Sequence, residues 1–143
     1  MRRYILLVLI IGALPSSLFG QDVPEGVHQA TSRPSEMCGL FGRDAIDFIE
    51  KAKTSPTLKW MQIGSDRFDL FQDATATYSL LVTKPSEPAY PAASCRHVFE
   101  ENGGIQIGRQ MKCNADRKAC DALFFELQAL DTAAAQEIRK LAK

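Results

Sequence analysis

The sequence predicts an α+β fold: an antiparallel five-stranded meander sheet flanked by an N-terminal and a long C-terminal helix, with disulfides joining the parts. Three observations predict it. Apolar residues recur at helical spacing near residues 41–52 and again at 120–141. Between these stretches lie five short runs of strand composition, separated by turn residues. Four cysteines, an even number, follow an export-like leader.

The leader comes first. Arg2 and Arg3 precede an apolar run over residues 4–14, which Pro15-Ser16-Ser17 ends. Eleven helical residues would rise about 16 Å, roughly half of a ~30 Å hydrocarbon core. The run therefore reads as a signal peptide over residues 1–20, cut after Gly20, and not as a spanning helix. Without it, 15 basic and 17 acidic side chains remain. That balance argues against a nucleic-acid partner, which calls for an excess of Lys and Arg to displace counterions. It also argues against a polybasic membrane-surface module. No stable membrane insertion is expected once the signal is removed.

Residues 21–35 contain Pro24, Gly26 and Pro34 with little apolar mass, so a flexible lead-in is expected. A single domain then spans 36–143, a length suited to one core. The first helix falls within 36–53, most securely from Arg43. Phe41, Ala45, Phe48, Ile49 and Ala52 form its apolar side, and Ser55-Pro56 ends it. Gly39 and Gly42 make its first turn irregular.

Strands are expected at 58–63, 67–72, 75–84, 95–101 and 105–113. In the third, Ala76, Tyr78, Leu80 and Val82 alternate with Thr75, Thr77, Ser79, Leu81 and Thr83, which predicts one core face and one wet face. The helices are expected together on the apolar face of the meander. Pro85, Pro88 and Pro91 recur at the three-residue repeat of polyproline II, so an extended loop is expected over 85–94. Asn102-Gly103-Gly104 marks a hairpin, and a three-residue loop there would set Phe99 opposite Ile107. The last segment, 116–141, is helical. Cys120, Leu123, Phe124, Leu127, Leu130, Ala134, Ile138 and Leu141 stay in phase along it. Asn114 or Asp116 would cap its start, and Asp131-Thr132 leaves open a kink or a second helix.

Cys38, Cys95, Cys113 and Cys120 admit three pairings. Cys113 ends a strand and Cys120 begins the next helix on its core stripe, so Cys113–Cys120 with Cys38–Cys95 is favoured. The rival is Cys95–Cys113 with Cys38–Cys120, drawn across the hairpin. The closest cysteine spacing, Cys-x6-Cys, is too wide for a zinc site, and no metal is expected.

The remaining constellations point away from chemistry. His97 shares a strand face with Cys95 and Phe99, but the sequence supplies neither a nucleophile nor an orienting acid for it. His28 lies in the lead-in. Asp66, Asp69 and Asp73 lack EF-hand spacing and read as turn and edge carboxylates. Glu100-Glu101 reads as charge at a hairpin end. No G-x-S-x-G, H-E-x-x-H or phosphate-loop pattern occurs, so no cofactor and no catalytic residue are assigned. Trp60 beside Met61 reads as core or rim.

The best candidate for recognition is the proline loop, with Tyr90 as a stiff aromatic contact flanked by Pro88 and Pro91. The expected function is a non-enzymatic secreted or periplasmic protein that binds a protein partner, as an inhibitor or an accessory subunit. Two alternatives remain. One is a small-molecule carrier with a pocket lined by Phe99, Met111, Phe124 and Phe125. The other is an unfamiliar enzyme around His97 with Glu100, Glu101 or Asp69.

Overall fold

The computed structural model describes His28–Gln29 and residues 33–141. The expected signal peptide, most of the lead-in and the last two residues lie outside the described residues. Six strands form one sheet in the order β1-β8-β7-β6-β5-β4. Its body is the expected five-stranded antiparallel meander: β4 (Lys59–Met61), β5 (Phe68–Gln72), β6 (Tyr78–Thr83), β7 (Ala92–Glu101) and β8 (Gly104–Cys113). The sixth strand, β1 (His28–Gln29), falls within the expected lead-in and lies parallel to the end of β8, with His28 opposite Lys112.

The first helix starts later than expected. Residues 35–42 form a hairpin, β2 (Ser35–Met37) and β3 (Leu40–Gly42), and α1 is Ala45–Thr54. Cys38 and Gly39 both take positive φ, 54° and 72°, the geometry of a two-residue hairpin turn. Gly39 supplies that conformation without strain. Gly42 matters for another reason: a Cβ there would sit 2.8 Å from the Phe48 ring. Asp44 accepts from the backbone N–H of Asp47 at 3.0 Å, which caps the helix and fixes its first turn after the hairpin.

The helices lie on opposite faces of the sheet, not together as the alternation suggested. On one face α1 and the β2–β3 hairpin cover Phe71, Leu80, Val82, Ala93 and Cys95. On the other, α2 (Arg117–Leu141) lays Cys120, Leu123 and Leu127 over Met111, Cys113 and Ala92. The supposed wet face of β6 is therefore buried at Ser79 and Thr83. Each hydroxyl is satisfied there. Ser79 Oγ accepts from Gln72 Nε2 at 3.0 Å, and Thr83 Oγ1 accepts from the Ala92 N–H at 2.7 Å.

Two further elements depart from expectation. The β7–β8 turn uses two residues, Asn102 and Gly103, both at positive φ, so Phe99 pairs with Gln106 and Val98 with Ile107. The proline loop is not extended. Glu87 N–H donates to Lys84 O, and Tyr90 N–H donates to Glu87 O, at 2.9 Å each. Pro85 and Pro88 thus occupy the second position of successive β-turns, where their fixed φ belongs. A cis Tyr90–Pro91 bond follows.

The C-terminal helix is single and runs through Asp131 without a second start. Asp116 caps it by accepting from Ala119 N–H at 3.1 Å. Asn114 instead accepts from Ala45 N–H at 2.9 Å, joining the end of β8 to the start of α1.

The disulfides are Cys38–Cys95 and Cys113–Cys120. The rival pairing fails because Cys95 pairs with Gln110 and Cys113 with Ala92 across the hairpin, which sends the two thiols to opposite faces.

Candidate binding surface

The turns at one end of the sheet form a continuous rim. The β4–β5 connection, residues 62–67, meets the proline loop through several hydrogen bonds. Lys84 N–H donates to Arg67 O at 2.8 Å, Lys84 Nζ donates to Ser65 O at 2.7 Å, and Ser86 Oγ donates to Asp66 O at 2.7 Å. Below the rim Glu87 is buried and accepts from Arg67 Nε at 2.6 Å. Arg67 also holds both oxygens of Glu126 on α2, at 2.8 and 2.9 Å. The bond to Glu126 first, then that to Glu87, raises the Arg67 pKa, while Arg67 lowers that of Glu126. Ala89, fully buried, anchors the second turn. The loop is a fastened ledge.

Exposed apolar side chains lie on this ledge and on the edge strand beside it, with Trp60 on the α1 face and Met61 on the other. Tyr90 is 44% exposed, Trp60 56%, Met61 42% and Ile63 44%. Trp60 Nε1 donates to Asp69 at 3.3 Å, and Asp69 pairs with Lys84 at 3.4 Å. On α1, Lys53 has a raised pKa, chiefly from its hydrogen bond to Glu50, with smaller contributions from Tyr90 and Asp69. Trp60, Tyr90 and the end of α1 therefore lie in one neighbourhood. Beside them β4 is the last strand of the sheet, so its outer edge has no strand partner among the described residues.

Of the loop residues singled out in the sequence, Tyr90 and Pro88 are exposed and Pro91 is half-buried. Sequence reasoning took Trp60 and Met61 as core or rim and did not single out Ile63; all three are more than two-fifths exposed. Trp60 beside Met61 was visible as an aromatic next to a thioether on a short strand, but its position at the sheet edge depends on strand order.

His97 is held differently. Its ring stacks between Tyr78, at 4.7 Å, and Phe99, at 5.2 Å, beside a cleft of about 500 Å3 under the β2–β3 hairpin. Glu36, not Glu100, Glu101 or Asp69, shares that cleft. The imidazole makes no hydrogen bond to the described residues, so no carboxylate orients it. Asp69 and Asp73 are committed elsewhere: Asp69 to Trp60 and Lys84, and Asp73 to the β5–β6 turn. No group of three potential metal ligands occurs among the described residues.

The residues suggested for a carrier pocket separate. Met111 is in the core, Phe125 is exposed, and Phe99 lies on the α1 face. Phe124 borders a recess of about 290 Å3 beneath α2. That recess is closed on one side by a buried ion pair in which Arg109 grips both oxygens of Asp131, with Nη2 2.7 Å from Oδ1. Arg109 Nη1 also donates to Ser94 Oγ at 2.8 Å.

Two disulfides fit an oxidising, non-cytoplasmic setting. No helix among the described residues is long and apolar enough to cross a membrane. The chain matches no protein-family model, no curated protein and no solved structure.

Proposed function

We propose that this is a secreted or periplasmic protein that acts by binding another protein through the ledge formed by Tyr90, Trp60, Met61 and Ile63. The observation that carries the reading is a set of four large apolar side chains, each more than two-fifths exposed: Trp60 and Met61 on the edge strand β4, and Ile63 and Tyr90 on the connections fastened beside it. Large apolar side chains left exposed close together mark interaction sites. Tyr and Trp are the side chains that most often anchor them. A ledge already held by Arg67, Glu87 and Ser86 loses little conformational entropy on docking. The outer edge of β4, without a strand partner among the described residues, adds backbone groups that an extended segment of the partner can pair with.

The test is affinity capture from the native extracellular or periplasmic fraction, with the wild type and the Trp60→Ser/Tyr90→Ala variant side by side. A protein retained by the wild type and lost from the variant is expected. Truncating Tyr90 alone weakens that complex by about thirtyfold, the effect of losing about 2 kcal/mol at an interface anchor. Both side chains point outward, so the melting temperature stays near that of the wild type. Identical retention by both proteins, or a sharp fall in melting temperature for Tyr90→Ala, rules the ledge out.

A further inference from the structure

On the other side of the Arg109–Asp131 pair lies a recess of about 220 Å3 between α2 and the sheet. Its walls are Leu70 and Leu81 from the sheet and Leu127 and Leu130 from the helix. Arg96 enters it from the centre of β7. Arg96 faces the helix side because it alternates with Cys95, whose side chain goes to the opposite face.

Arg96 differs from the other inward-facing arginine. Arg109 is satisfied by Asp131 and Ser94. The Nε of Arg96 is buried and has no hydrogen-bond partner, and its guanidinium makes no ion pair with the described residues. Arg96 as a whole is half-buried, and its Nε is the one buried donor of the recess left without an acceptor; buried donors are almost always satisfied, so an unpaired cation set against an apolar recess points to an anionic acceptor from outside the chain. The local charge agrees. Asp131 is neutralised by Arg109, which leaves Arg96 as the uncompensated charge among the groups that line the recess. Ser79 and Gln72 at its floor are bonded to each other.

We propose that this recess binds a small amphiphilic carboxylate: an anionic head on Arg96 and a short hydrocarbon body among Leu70, Leu81, Leu127 and Leu130. A planar guanidinium donates two parallel hydrogen bonds to a carboxylate. The volume is below the roughly 300–1,000 Å3 of drug-sized pockets, so the body is short. Leu130, 60% exposed, forms the mouth. The site is independent of the protein-binding ledge, since it involves none of the same side chains.

The experiment is a site-resolved NMR titration of the full chain with octanoate, following the Arg96 Nε–Hε resonance and the methyls of Leu70, Leu81 and Leu127. Signals at these groups separate binding here from binding anywhere else on the chain. Saturable shifts are expected with octanoate. Octanol, which has the tail without the charge, and inorganic phosphate, which has charge without the tail, each bind at least about tenfold more weakly, since a charge-assisted pair and a buried apolar tail each contribute that much. Arg96→Gln weakens octanoate by about tenfold or more and leaves octanol unchanged. Because the Arg96 side chain makes no hydrogen bond or ion pair with the described residues, the variant keeps its fold. Leu130→Glu, at the exposed mouth, weakens octanoate independently by placing a like charge beside it. Three outcomes overturn the proposal: no saturable shift at these groups in the folded wild type, equal affinity for octanoate and octanol, or octanoate affinity unchanged in both variants. Saturation by phosphate as tight as by octanoate overturns it as well, and leaves a simple anion site.

Discussion

Single side chains carry the polar energetics of the α2 interface. Asp131 stands where the helix stripe would otherwise take an apolar residue, and it is buried against Arg109, with both side chains about 10% exposed. Removing one partner of a buried ion pair leaves the other charge desolvated and alone. Asp131→Ala is therefore expected to destabilise the fold by about 3–5 kcal/mol, read from urea unfolding. Replacing both partners at once, Asp131→Leu with Arg109→Met, costs much less, because well-packed apolar groups restore what the charges lose on desolvation. A single-variant loss below about 1 kcal/mol would show that solvent reaches the pair. At this scale the sequence was legible in part. Asp131 was visible as an interruption of the stripe and suggested a break in the helix. Its actual role needs Arg109, which lies 22 positions away on a strand.

At the scale of elements, the β5–β6 connection shows how one carboxylate organises a turn. Asp73 Oδ1 accepts from Tyr78 N–H at 2.8 Å and Oδ2 from Thr75 Oγ1 at 2.6 Å, while Ala76 turns through positive φ between them. Desolvation pushes the Asp73 pKa up, but the bonds from Thr75 and Tyr78 together outweigh it, and the pKa is lowered from its ordinary 3.8. A lowered folded-state pKa means that the stabilisation is complete above that ordinary value and is lost as the pH falls below it toward the folded value. Asp73→Asn is expected to cost about 1 kcal/mol at about pH 6, where the ionised form accepts the stronger bonds. The difference from wild type should shrink as the pH falls past 3.8 to about 2.5, since protonation of Asp73 progressively removes the ionised acceptor. Denaturant unfolding at the two pH values checks this, and a difference that grows on acidification would contradict the assignment.

Among the elements, those with strong local signals were placed well. The C-terminal stripe and the five strand runs follow from periodicity, which local residues carry. The first helix was begun too early because Phe41 lies in phase with Ala45 and Phe48. The hairpin at 35–42 won instead, since Cys38-Gly39 accommodates a tight turn and the Cys38 thiol is then held against β7. The proline loop was misjudged because a repeat of three fits polyproline II and successive turns alike. Hydrogen bonds to the β4–β5 connection select the turns.

For the molecule as a whole, the two disulfides divide the work by face. Cys38–Cys95 joins the hairpin to the sheet on the α1 side, and Cys113–Cys120 joins β8 to α2 on the other. They span 57 and 7 residues. Chain-entropy reasoning assigns about 4 kcal/mol to the longer loop and about 2 kcal/mol to the shorter. Replacing Cys38 and Cys95 together by Ala is expected to lower the denaturant midpoint more than replacing Cys113 and Cys120. The reverse order would show that packing at the start of α2, and not loop closure, dominates.

The sequence by itself determined the fold class, the order of the main elements and the preferred cysteine pairing. Each depends on short-range regularities: a 3.6-residue stripe, an alternation of two, and a strand running directly into a helix. Tertiary structure alone decided that the helices take opposite faces of the sheet. It likewise decided that β4 is an edge bearing Trp60, and that Arg96 faces a recess without a counter-charge while Arg109 has one. These are properties of which residues meet across the sheet and beneath the helix. Strand order, register and layer assignment are cooperative results of burying both faces at once, and no local pattern along the chain encodes them.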